Sequence, residues 1–445
     1  MPLCLSVTLS LCIYATFISE RYFAKLYKMI QIKTHPIKPC AVSVPGSKSF
    51  SHRMLMASAL SNGECTVDNC LQSDDTRFTT KALQQLGVQV EENRQQLSIK
   101  GKNGRFDASE EPVFLGNSGT SMRLLTALAA LGKGRYILTG TERMQERPLN
   151  DLLDGLGQIN VAVHSVKYNG CPPVEVVGSL VQGGSMRLRC GTSSQYLSAI
   201  LLIAPCTRQG IEIEIIEGPV SKPYIDMTIH VMEQFGIYVE RSSHHYFKVA
   251  GGQIYQPGRY VVEPDCSQAG YFWAAAAVAA SNVKVLGTKL DSLQGDIRLL
   301  QLFEAMGCRI EQEKDGLRLV GGRLKGIDAD MSNMPDMVPT LAVVAAFASG
   351  TTRIRNVAHL RVKESDRLAS VADGLTRMGI STVITEDGLV VEGGRPHGTE
   401  IDTYDDHRIA MSFAVAGLVT PGIIIRDDRC VEKSFPNFWE VFGAL

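Results

Sequence analysis

The sequence lacks an excess of charge of either sign. Its 445 residues contain 45 Lys and Arg against 46 Asp and Glu, a formal net charge of -1. Proteins whose main partner is nucleic acid usually carry a large basic surface, so the balance argues against such a partner and leaves room only for a local basic cleft. The length and the hydrophobic content of 44% predict a globular protein with two domains rather than one core.

Cysteine motifs for metal binding are also missing. The eleven cysteines are scattered without a CxxC pair or a short Cys/His ligand spacing, and their number is odd. This pattern predicts a protein of the reduced cytosol without structural zinc. Most of the cysteines are expected to be small buried hydrophobic residues.

A long apolar run that could span a membrane is absent after Met29, because the Ala-rich runs are short or interrupted by polar residues. Residues 1–28 differ from the rest, since their first part is apolar and has no basic amino-terminal region, which resembles a poor signal peptide or a short anchor. The alternative is that the biological start is Met29, where a regular apolar alternation begins. We prefer this alternative, in which residues 1–28 are a non-native or disordered extension of a cytoplasmic protein.

What the sequence does contain is one pattern repeated six times, at intervals of about 70 residues. In each copy a polar cluster is followed by a run of small and apolar residues, and later by an amphipathic stretch that ends in a bulky apolar residue and a Gly. Each Gly suits the left-handed position after a helix. The clusters begin at Ser47, Ser118, Ser193, Asp265, Asp336 and Asp406, and the glycines are Gly87, Gly157, Gly236, Gly307, Gly379 and Gly443.

Six copies of one supersecondary unit cannot each bury a core alone. We therefore expect them to stack three to a lobe, with the apolar helix inside and the amphipathic helix outside. If the inner helices run parallel, their amino ends gather at one end of each lobe and expose unsatisfied N–H groups there. Such a place suits an anionic ligand.

The first three clusters offer hydroxyl groups, amides and cations at predicted helix starts. Small hydroxyl residues there can donate to phosphate oxygens, and Gly119 lets a ligand approach the backbone closely. The first cluster lacks the Gly spacing of a nucleotide P-loop. Such groups suit a polyhydroxylated ring that bears a phosphate. The candidates are Lys48, Ser49, Arg53, Gly119, Arg147, Ser193, Ser194, Gln195, Ser221 and Tyr224.

The second half supplies carboxylates and more cations. Asp336 stands at an apolar helix start, where burial raises a carboxyl pKa and neighbouring cations lower it. A solvated turn or a helix cap would explain any one cluster, but their joint appearance at equivalent points of the repeat favours a site. The candidates in this half are Asp336, Lys363, Glu364, Arg367, Arg408 and Lys433.

Taken together, these motifs resemble those of the 5-enolpyruvylshikimate-3-phosphate (EPSP) synthase family, in order and over residues 29–445. The resemblance implies an α/β fold, a two-domain inside-out α/β barrel of six βαβαββ repeats, three per domain, with buried parallel helices. One domain would be continuous over residues 47–263 and carry most shikimate 3-phosphate contacts, and the other would join residues 29–46 to 264–445. The motifs are Ser47-Lys48-Ser49 with Arg53, Gly116 to Arg123, Glu146-Arg147-Pro148, Ser193-Ser194-Gln195, Ser221 to Tyr224, Arg361 to Arg367, Asp406-His407-Arg408 and Lys433 to Pro436.

The reaction that the resemblance implies belongs to the shikimate pathway of aromatic amino acid biosynthesis. A 3-phosphoshikimate 1-carboxyvinyltransferase moves the enolpyruvyl group of phosphoenolpyruvate to the 5-hydroxyl of shikimate 3-phosphate through a tetrahedral intermediate and releases phosphate. It implies an enzyme without cofactor or metal that acts as a monomer. Asp336 is the implied proton acceptor for the 5-hydroxyl, and Lys48 and Glu364 are candidates for the acid and base at the methylene carbon.

The resemblance also implies which residues hold each substrate. Shikimate 3-phosphate would contact Lys48, Ser49, Arg53, Ser193, Ser194, Gln195, Ser221, Tyr224, Asp336 and Lys363. Phosphoenolpyruvate would contact Lys48, Gly119, Arg147, Gln195, Arg367, Arg408 and Lys433. So many cations are expected, because two phosphates and two carboxylates would otherwise repel one another in one site.

The sequence departs from the family pattern at three positions. Many relatives have Asn where His359 stands, which leaves the role of His359 open, and Ala at the positions of Ser118 and Ser121. The two serines are expected to add hydroxyls near the phosphoenolpyruvate pocket. Gly119 is unbranched, which implies inhibition by glyphosate in competition with phosphoenolpyruvate.

Two other functions compete with this interpretation. The sister enolpyruvyl transferase that acts on UDP-N-acetylglucosamine normally uses a loop Cys as an acid, but residues 116–147 contain no Cys. A non-catalytic repeat scaffold, or a relative that binds RNA ends, is disfavoured because the net charge is near neutral and carboxylates stand among the cations.

Overall fold

The computed structural model describes residues 28–93 and 96–445. The predicted extension over residues 1–28 therefore lies, apart from Lys28, outside the described residues. In the described part, small mixed sheets surround an inner layer of buried helices and carry an outer layer of amphipathic helices. The predicted α/β class and its repeat are thus confirmed.

The inner layer consists of helices that directly follow the predicted polar clusters or, in one case, a short 3-10 turn. Nearly all of their residues are buried, because their sequences are small or apolar on every side. These helices are α1 (Lys48–Leu60), α3 (Gly119–Ala129), α5 (Gln195–Ile203), α7 (Cys266–Val278), α9 (Val338–Ala345) and α11 (His407–Gly417).

The outer layer consists of the predicted amphipathic helices, which bury one face against the inner layer and the sheets and expose the other. Their bounds are α2 (Asp74–Gln85), α4 (Asn150–Gln158), α6 (Pro223–Gln234), α8 (Leu299–Ala305), α10 (Arg367–Arg377) and α12 (Phe438–Gly443). The predicted left-handed Gly after the helix is confirmed in four repeats, at Gly87, Gly236, Gly307 and Gly379. It is wrong in two, because Gly157 lies inside α4, where Asn160 takes the positive φ instead, and Gly443 is the last residue of α12.

Each sheet contains one parallel strand pair, and antiparallel strands extend it. In hydrogen-bonding order, three sheets are β14 (Arg259–Val261), β3 (Glu64–Asp68), β5 (Gln96–Lys100), β4 (Gln89–Asn93); β6 (Val113–Phe114), β7 (Gly134–Thr139), β9 (Val174–Gly178), β8 (Ala162–Ser165); and β10 (Gly184–Arg189), β11 (Gly210–Glu217), β13 (Tyr246–Ala250), β12 (Glu240–Ser242). The others are β16 (Arg309–Glu313), β17 (Gly316–Val320), β15 (Asn282–Leu286), β2 (Cys40–Val42); β18 (Asp328–Asp330), β19 (Thr351–Arg355), β21 (Leu389–Glu392), β20 (Thr382–Ile384); and β1 (Ile30–Gln31), β23 (Ile424–Ile425), β22 (Glu400–Ile401).

Two hydrophobic cores divide the described chain into two lobes. The core of lobe I is formed by residues between Phe50 and Val262. The core of lobe II combines Ile32, Ile37 and Val44 with residues from 266 to 445. Inside lobe I, α3 packs against α1 and α5, and inside lobe II the helices α7, α9 and α11 pack against one another.

The chain crosses between the lobes twice, and the two crossings lie side by side. Strand β2 pairs in parallel with β15 of lobe II, whereas β14 pairs in parallel with β3 of lobe I. At the crossings the Ser47 amide donates to the Glu263 carbonyl at 2.8 Å, and the Asp265 amide donates to the Pro45 carbonyl at 2.9 Å. The first turns of α1 and α7 are therefore held next to each other.

The cysteines in the described part of the chain are all free, and six of these nine are buried. This agrees with their interpretation as small core residues. Among the same residues no group of three or more His, Cys, Asp or Glu side chains is arranged to hold a metal ion. No helix within residues 28–93 and 96–445 has both the length and the apolar character needed to cross a bilayer.

Candidate active site

A cleft between the lobes receives the amino ends of inner helices from both sides. The first residues of α1, α3 and α5 line it from lobe I, and the turn before α9 lines it from lobe II. The sequence-predicted residues in this lining are Lys48, Ser49, Gly119, Arg147, Ser193, Ser194, Gln195, Ser221, Tyr224, Asp336, Lys363 and Glu364. Residues from four of the six polar clusters and their flanking motifs thus meet in one place.

The remaining predicted residues, Arg53, Arg367, Arg408 and Lys433, lie directly behind this lining. Arg53 is almost fully buried, and its Nε donates to Thr228 Oγ1 at 2.7 Å while Nη2 donates to the Tyr224 carbonyl at 2.9 Å. Burial lowers the pKa of Arg53 to about 10. Arg53 therefore connects α1 to α6 through these hydrogen bonds and is not part of the cleft lining.

Asp336 is clamped by two arginines of its own lobe. Its Oδ1 accepts from Arg367 Nη1 at 2.8 Å, and its Oδ2 accepts from Arg408 Nη2 at 2.6 Å. Desolvation alone would raise the pKa of Asp336, but Arg408 and Arg367 outweigh it and hold the pKa well below its usual value. Of the two opposing effects expected from the sequence, the cations therefore dominate, and Asp336 is an ionised carboxylate at neutral pH.

Arg367 is the centre of a buried network of carboxylates. Besides Asp336, it donates from Nε to Asp406 Oδ2 and from Nη2 to Glu364 Oε2, each at 2.8 Å. Burial lowers the pKa of Arg367, but these carboxylates raise it above its usual value, so the guanidinium stays charged. Asp406 also caps α11 by accepting from the Arg408 amide at 3.0 Å. The network fixes both arginines at the floor of the cleft.

Asp75, in the first turn of α2, was missed by the sequence analysis, yet it connects the two lobes. Its Oδ1 accepts from Lys433 Nζ of lobe II at 2.7 Å, and its Oδ2 accepts from Lys48 Nζ of lobe I at 3.2 Å. Burial would raise the pKa of Asp75, but Lys433 and Lys48 lower it below its usual value. The only sequence signal was the acidic run after Ser73, which is typical of an ordinary helix start.

Further contacts hold the cleft closed in this structure. Arg143 of lobe I donates from Nη2 to the Lys363 carbonyl at 3.0 Å, and Lys433 donates to the Asn117 carbonyl at 2.9 Å. Burial lowers the pKa of Lys363 to about 8, although Asp336 opposes the shift. Closure thus brings cations from both lobes within reach of the same small volume and excludes water from it.

None of the three departures from the family pattern, Ser118, Ser121 and His359, is part of the cleft lining. Ser118 and Ser121 do not line the cleft; their hydroxyls are 2.6 Å apart and continue through Thr79 Oγ1, at 2.7 Å from Ser121, to His52 Nδ1. Both side chains turn into the packing between α1, α2 and α3, directly beside the lining residue Gly119, and the expectation that their hydroxyls lie near the phosphoenolpyruvate pocket stays a prediction. His359 lines a neighbouring recess beside Ser221, and burial lowers its pKa to about 3, so its ring is neutral.

Several cations at the cleft form ion pairs with carboxylates of the protein. Lys48 and Lys433 are paired with Asp75, and Arg367 and Arg408 are paired with Asp336. An anion that enters must compete with these carboxylates for the cations. Such a site suits small ligands with several negative charges, because one such ligand can replace more than one of the protein's carboxylates as the partner of these cations.

Comparison with known proteins gives concordant matches over nearly the whole chain. The family model described as EPSP synthase (3-phosphoshikimate 1-carboxyvinyltransferase) matches residues 37–442. A 3-phosphoshikimate 1-carboxyvinyltransferase of Syntrophobacter fumaroxidans is 44% identical over 407 residues, which cover 91% of this chain and 96% of the relative. The chloroplastic 3-phosphoshikimate 1-carboxyvinyltransferase 1 of Nicotiana tabacum is 42% identical over 435 residues, covering 92% of this chain and 84% of the relative. The solved EPSP synthase of Acinetobacter baumannii superposes with a TM-score of 0.78 at 30% identity and covers 94% of this chain and 98% of its own.

Proposed function

The chain belongs to the EPSP synthase family, and from this premise we propose that it transfers the enolpyruvyl group of phosphoenolpyruvate to the 5-hydroxyl of shikimate 3-phosphate. The products are 5-enolpyruvylshikimate 3-phosphate and phosphate, in the shikimate pathway. The observation that carries the proposal is the convergence of cations from both lobes around one ionised carboxylate, Asp336.

Each substrate is assigned to one part of the cleft. The hydroxyl and amide groups at the start of α5 and before α6, together with Lys363, suit the ring and phosphate of shikimate 3-phosphate. The cations Arg147, Arg367, Arg408 and Lys433, with Lys48 and the open backbone at Gly119, suit the phosphate and carboxylate of phosphoenolpyruvate. Lys48 lies at the boundary of the two sets, where the substrates react.

The reaction requires one proton to be added to the methylene carbon of phosphoenolpyruvate and another to be removed from the 5-hydroxyl. Protonation makes C2 electrophilic, the hydroxyl oxygen attacks it, and the tetrahedral product loses phosphate after a methyl proton is removed. We assign Asp336 as acceptor of the hydroxyl proton and Lys48 and Glu364 as the acid and base at the methyl carbon. Burial would raise the pKa of Glu364, but Arg367 and Arg147 hold it well below its usual value, so Glu364 is ionised and has a free site for a proton.

Ligand binding itself changes the environment of Asp336. Oδ1 of Asp336 accepts a hydrogen bond from Arg367, and Oδ2 accepts one from Arg408. The carboxylate of phosphoenolpyruvate competes for the same guanidinium groups, and each one it attracts weakens the cationic influence that keeps Asp336 a poor base. Asp336 thereby gains basicity when the second substrate is present.

The two lobes are proposed to be two domains that close over the substrates. The division between the cores and the paired crossings support boundaries near Gly46 and Glu263, with residues 47–263 continuous and residues 29–46 joined to 264–445. We assign the protein to the cytoplasm as a monomer that needs no cofactor and no nucleic acid partner. The near-neutral charge supports the last point.

Glyphosate is proposed to inhibit the enzyme in competition with phosphoenolpyruvate, and Gly119→Ala tests the pocket that both would share. A Cβ at Gly119 would lie 2.5 Å from both Arg123 Nη1 and Arg147 Nη2, so both guanidinium groups must shift, that of Arg147 from its buried place beside Asn117. We expect the KM for phosphoenolpyruvate and the inhibition constant of glyphosate to rise about tenfold or more, the cost of disturbing a buried charged hydrogen bond.

Steady-state inhibition kinetics would measure both constants for Gly119→Ala. Gly157→Ala is the matched control, because a Cβ at Gly157 meets no atom within 4 Å. Equal constants in Gly119→Ala and the unaltered enzyme, or inhibition by glyphosate that does not compete with phosphoenolpyruvate, would contradict the assignment.

The reaction itself is tested by phosphate release from phosphoenolpyruvate. We expect release only when shikimate 3-phosphate is added, because the acceptor hydroxyl must be present before C2 can be attacked. Supplying UDP-N-acetylglucosamine in place of shikimate 3-phosphate is the control. Release that depends on the UDP sugar, or release with neither acceptor, would reject the proposed function.

A further inference from the structure

Asp296 is a buried carboxyl group behind the lining residue Tyr224, and the proposed mechanism does not use it. It lies in the 3-10 turn Gly295–Arg298 of lobe II and is only 3% exposed. Its Oδ2 accepts a hydrogen bond from Ser267 Oγ and lies 3.5 Å from the Tyr224 hydroxyl, whereas its Oδ1 has no hydrogen-bond partner among the described residues. The hydrogen-bonding partners of this carboxyl are therefore hydroxyls, unlike the arginines that hold Asp336.

The Tyr224 hydroxyl stands between two carboxyl groups. It lies 3.4 Å from Asp336 Oδ2 on one side and 3.5 Å from Asp296 Oδ2 on the other. A phenol has one proton and can donate to only one of them. Two carboxyl groups so close in a buried site do not both ionise readily, and the one without a cation keeps its proton. Asp336 has the cations, so Asp296 is the group that keeps the proton.

We propose that Asp296 is a positioning residue that works as a neutral carboxylic acid. It donates its proton to the Tyr224 hydroxyl oxygen and thereby directs the Tyr224 hydroxyl proton to Oδ2 of Asp336. Both distances are long for such bonds and are expected to shorten in the substrate complex, as catalytic hydrogen bonds commonly do. The inference rests on the proposed function, in which Asp336 accepts the proton of the substrate hydroxyl.

The hydrogen bonds proposed from Asp296 through Tyr224 to Asp336 connect the two lobes, because Tyr224 belongs to lobe I and both carboxyl groups belong to lobe II. Tyr224 can be aligned with Asp336 only when the lobes are closed. Arg53, whose guanidinium carbon lies 6.0 Å from the centre of the Tyr224 ring, holds the ring from the lobe I side. The alignment of the base thus depends on closure as well as on Asp296.

The protonation state of Asp296 is set by groups from several elements. Among the described residues, the charged and titratable groups that face it are Asp336 before α9, Asp265 before α7, Cys266 at the start of α7, Arg408 of α11 and Tyr224 of α6. Burial raises the pKa of Asp296 most, Asp336 raises it further and Arg408 opposes them, which places the pKa at about 7. Ionisation above this pH removes the proton that Asp296 donates to Tyr224. Turnover that depends on Asp296 must therefore fall as the pH rises through about 7.

Two substitutions of Asp296 separate a neutral acid from a carboxylate. Asp296→Asn keeps a donor and an acceptor without a titratable proton, whereas Asp296→Ala removes both. We expect Asp296→Ala to lower kcat about tenfold or more with little change in the KM for phosphoenolpyruvate. At about pH 6, Asp296→Asn should keep a larger share of the unaltered enzyme's kcat than Asp296→Ala does. Between about pH 6 and about pH 8, the kcat of Asp296→Asn should fall less than that of the unaltered enzyme, because asparagine does not ionise. Lys363 titrates in both enzymes, so the difference between the two pH profiles isolates Asp296.

The outcomes against the inference are equally definite. A loss of kcat in Asp296→Asn as large as that in Asp296→Ala would mean that the ionised form is needed. An unchanged pH profile in Asp296→Asn would also overturn the inference. Tyr224→Phe gives a further test. If Asp296 acts through Tyr224, adding Asp296→Ala to the Tyr224→Phe enzyme should lower kcat little further. If the losses of kcat from the two substitutions were additive, Asp296 would not act through Tyr224.

An infrared difference spectrum tests the protonation without turnover. The spectrum of the unaltered enzyme minus that of Asp296→Asn, at about pH 6, should contain the carbonyl stretch of a protonated carboxylic acid. Absence of this band would overturn the inference even if Asp296→Ala failed to fold. Presence of the band in an enzyme that releases no phosphate with shikimate 3-phosphate would count against the proposed function alone.

Discussion

Asp336→Asn is expected to lower kcat by at least about 100-fold, the usual contribution of a positioned general base. Asparagine has nearly the same size but carries no negative charge, so it cannot accept the proton of the 5-hydroxyl. The substitution also removes the negative charge of Asp336 from its ion pairs with Arg367 and Arg408, although Arg367 keeps its pairs with Asp406 and Glu364. Phosphoenolpyruvate then meets less competition for these cations. We therefore expect its KM to stay level or to fall while kcat collapses.

Initial rates of phosphate release at varied phosphoenolpyruvate would separate the two constants. Asp328→Asn is a suitable control, because Asp328 is an exposed carboxylate that pairs with Arg355 at 2.7 Å, and neither residue lines the cleft. An Asp336→Asn enzyme that keeps kcat within about tenfold would remove Asp336 from the role of base. A large rise in KM with kcat unchanged would make it a binding residue only.

Lys48→Met should also lower kcat by about 100-fold or more, because methionine keeps the length of the side chain without a proton to donate. Lys48 lies at the start of α1 with only 9% of its surface exposed, and Nζ is 3.2 Å from Asp75 Oδ2. Its removal leaves Lys433 as the one lysine partner of Asp75, which draws Lys433 more strongly toward Asp75 and away from an incoming phosphate. The KM for phosphoenolpyruvate should therefore rise as well.

The same kinetic assay measures the Lys48 effect, and circular dichroism would confirm that the fold is kept. Lys81→Met provides the matched comparison, since Lys81 is an exposed lysine on the helix that carries Asp75. If Lys48→Met retained the turnover of Lys81→Met, Lys48 would have no part in proton transfer.

The fold was predictable because its signal is local and repeated. Apolar runs on all sides of a helix identify the inner layer, and amphipathic runs identify the outer layer, without any knowledge of tertiary contacts. The predicted helix end failed at Gly157 because α4 continues past it to Gln158, and Asn160 supplies the left-handed residue. The last turn of a helix depends on packing as well as on the residue that can end it.

The candidate site was predictable only in part, because some of its contacts join distant segments. The acidic start of α2 has an adequate local explanation, and nothing near Asp75 indicates that Lys433, more than 300 residues later, will bind it. Asp296 was missed for the same reason, since its position between Ser267 and Tyr224 exists only after the lobes meet. Residue types and spacing predicted which groups bind anions, but not which carboxylates compete for them.

The exchange of strands at the crossings has a consequence for synthesis on the ribosome. Strand β2 emerges early, but its partner β15 follows only after all of lobe I has been translated. Lobe I acquires its last strand, β14, just before the chain returns to lobe II, so it can fold as a unit while the other half is still unmade. Until β15 has been synthesised, β2 of the nascent chain lacks this pairing partner. Its length of three residues limits the edge that it offers to a neighbouring chain.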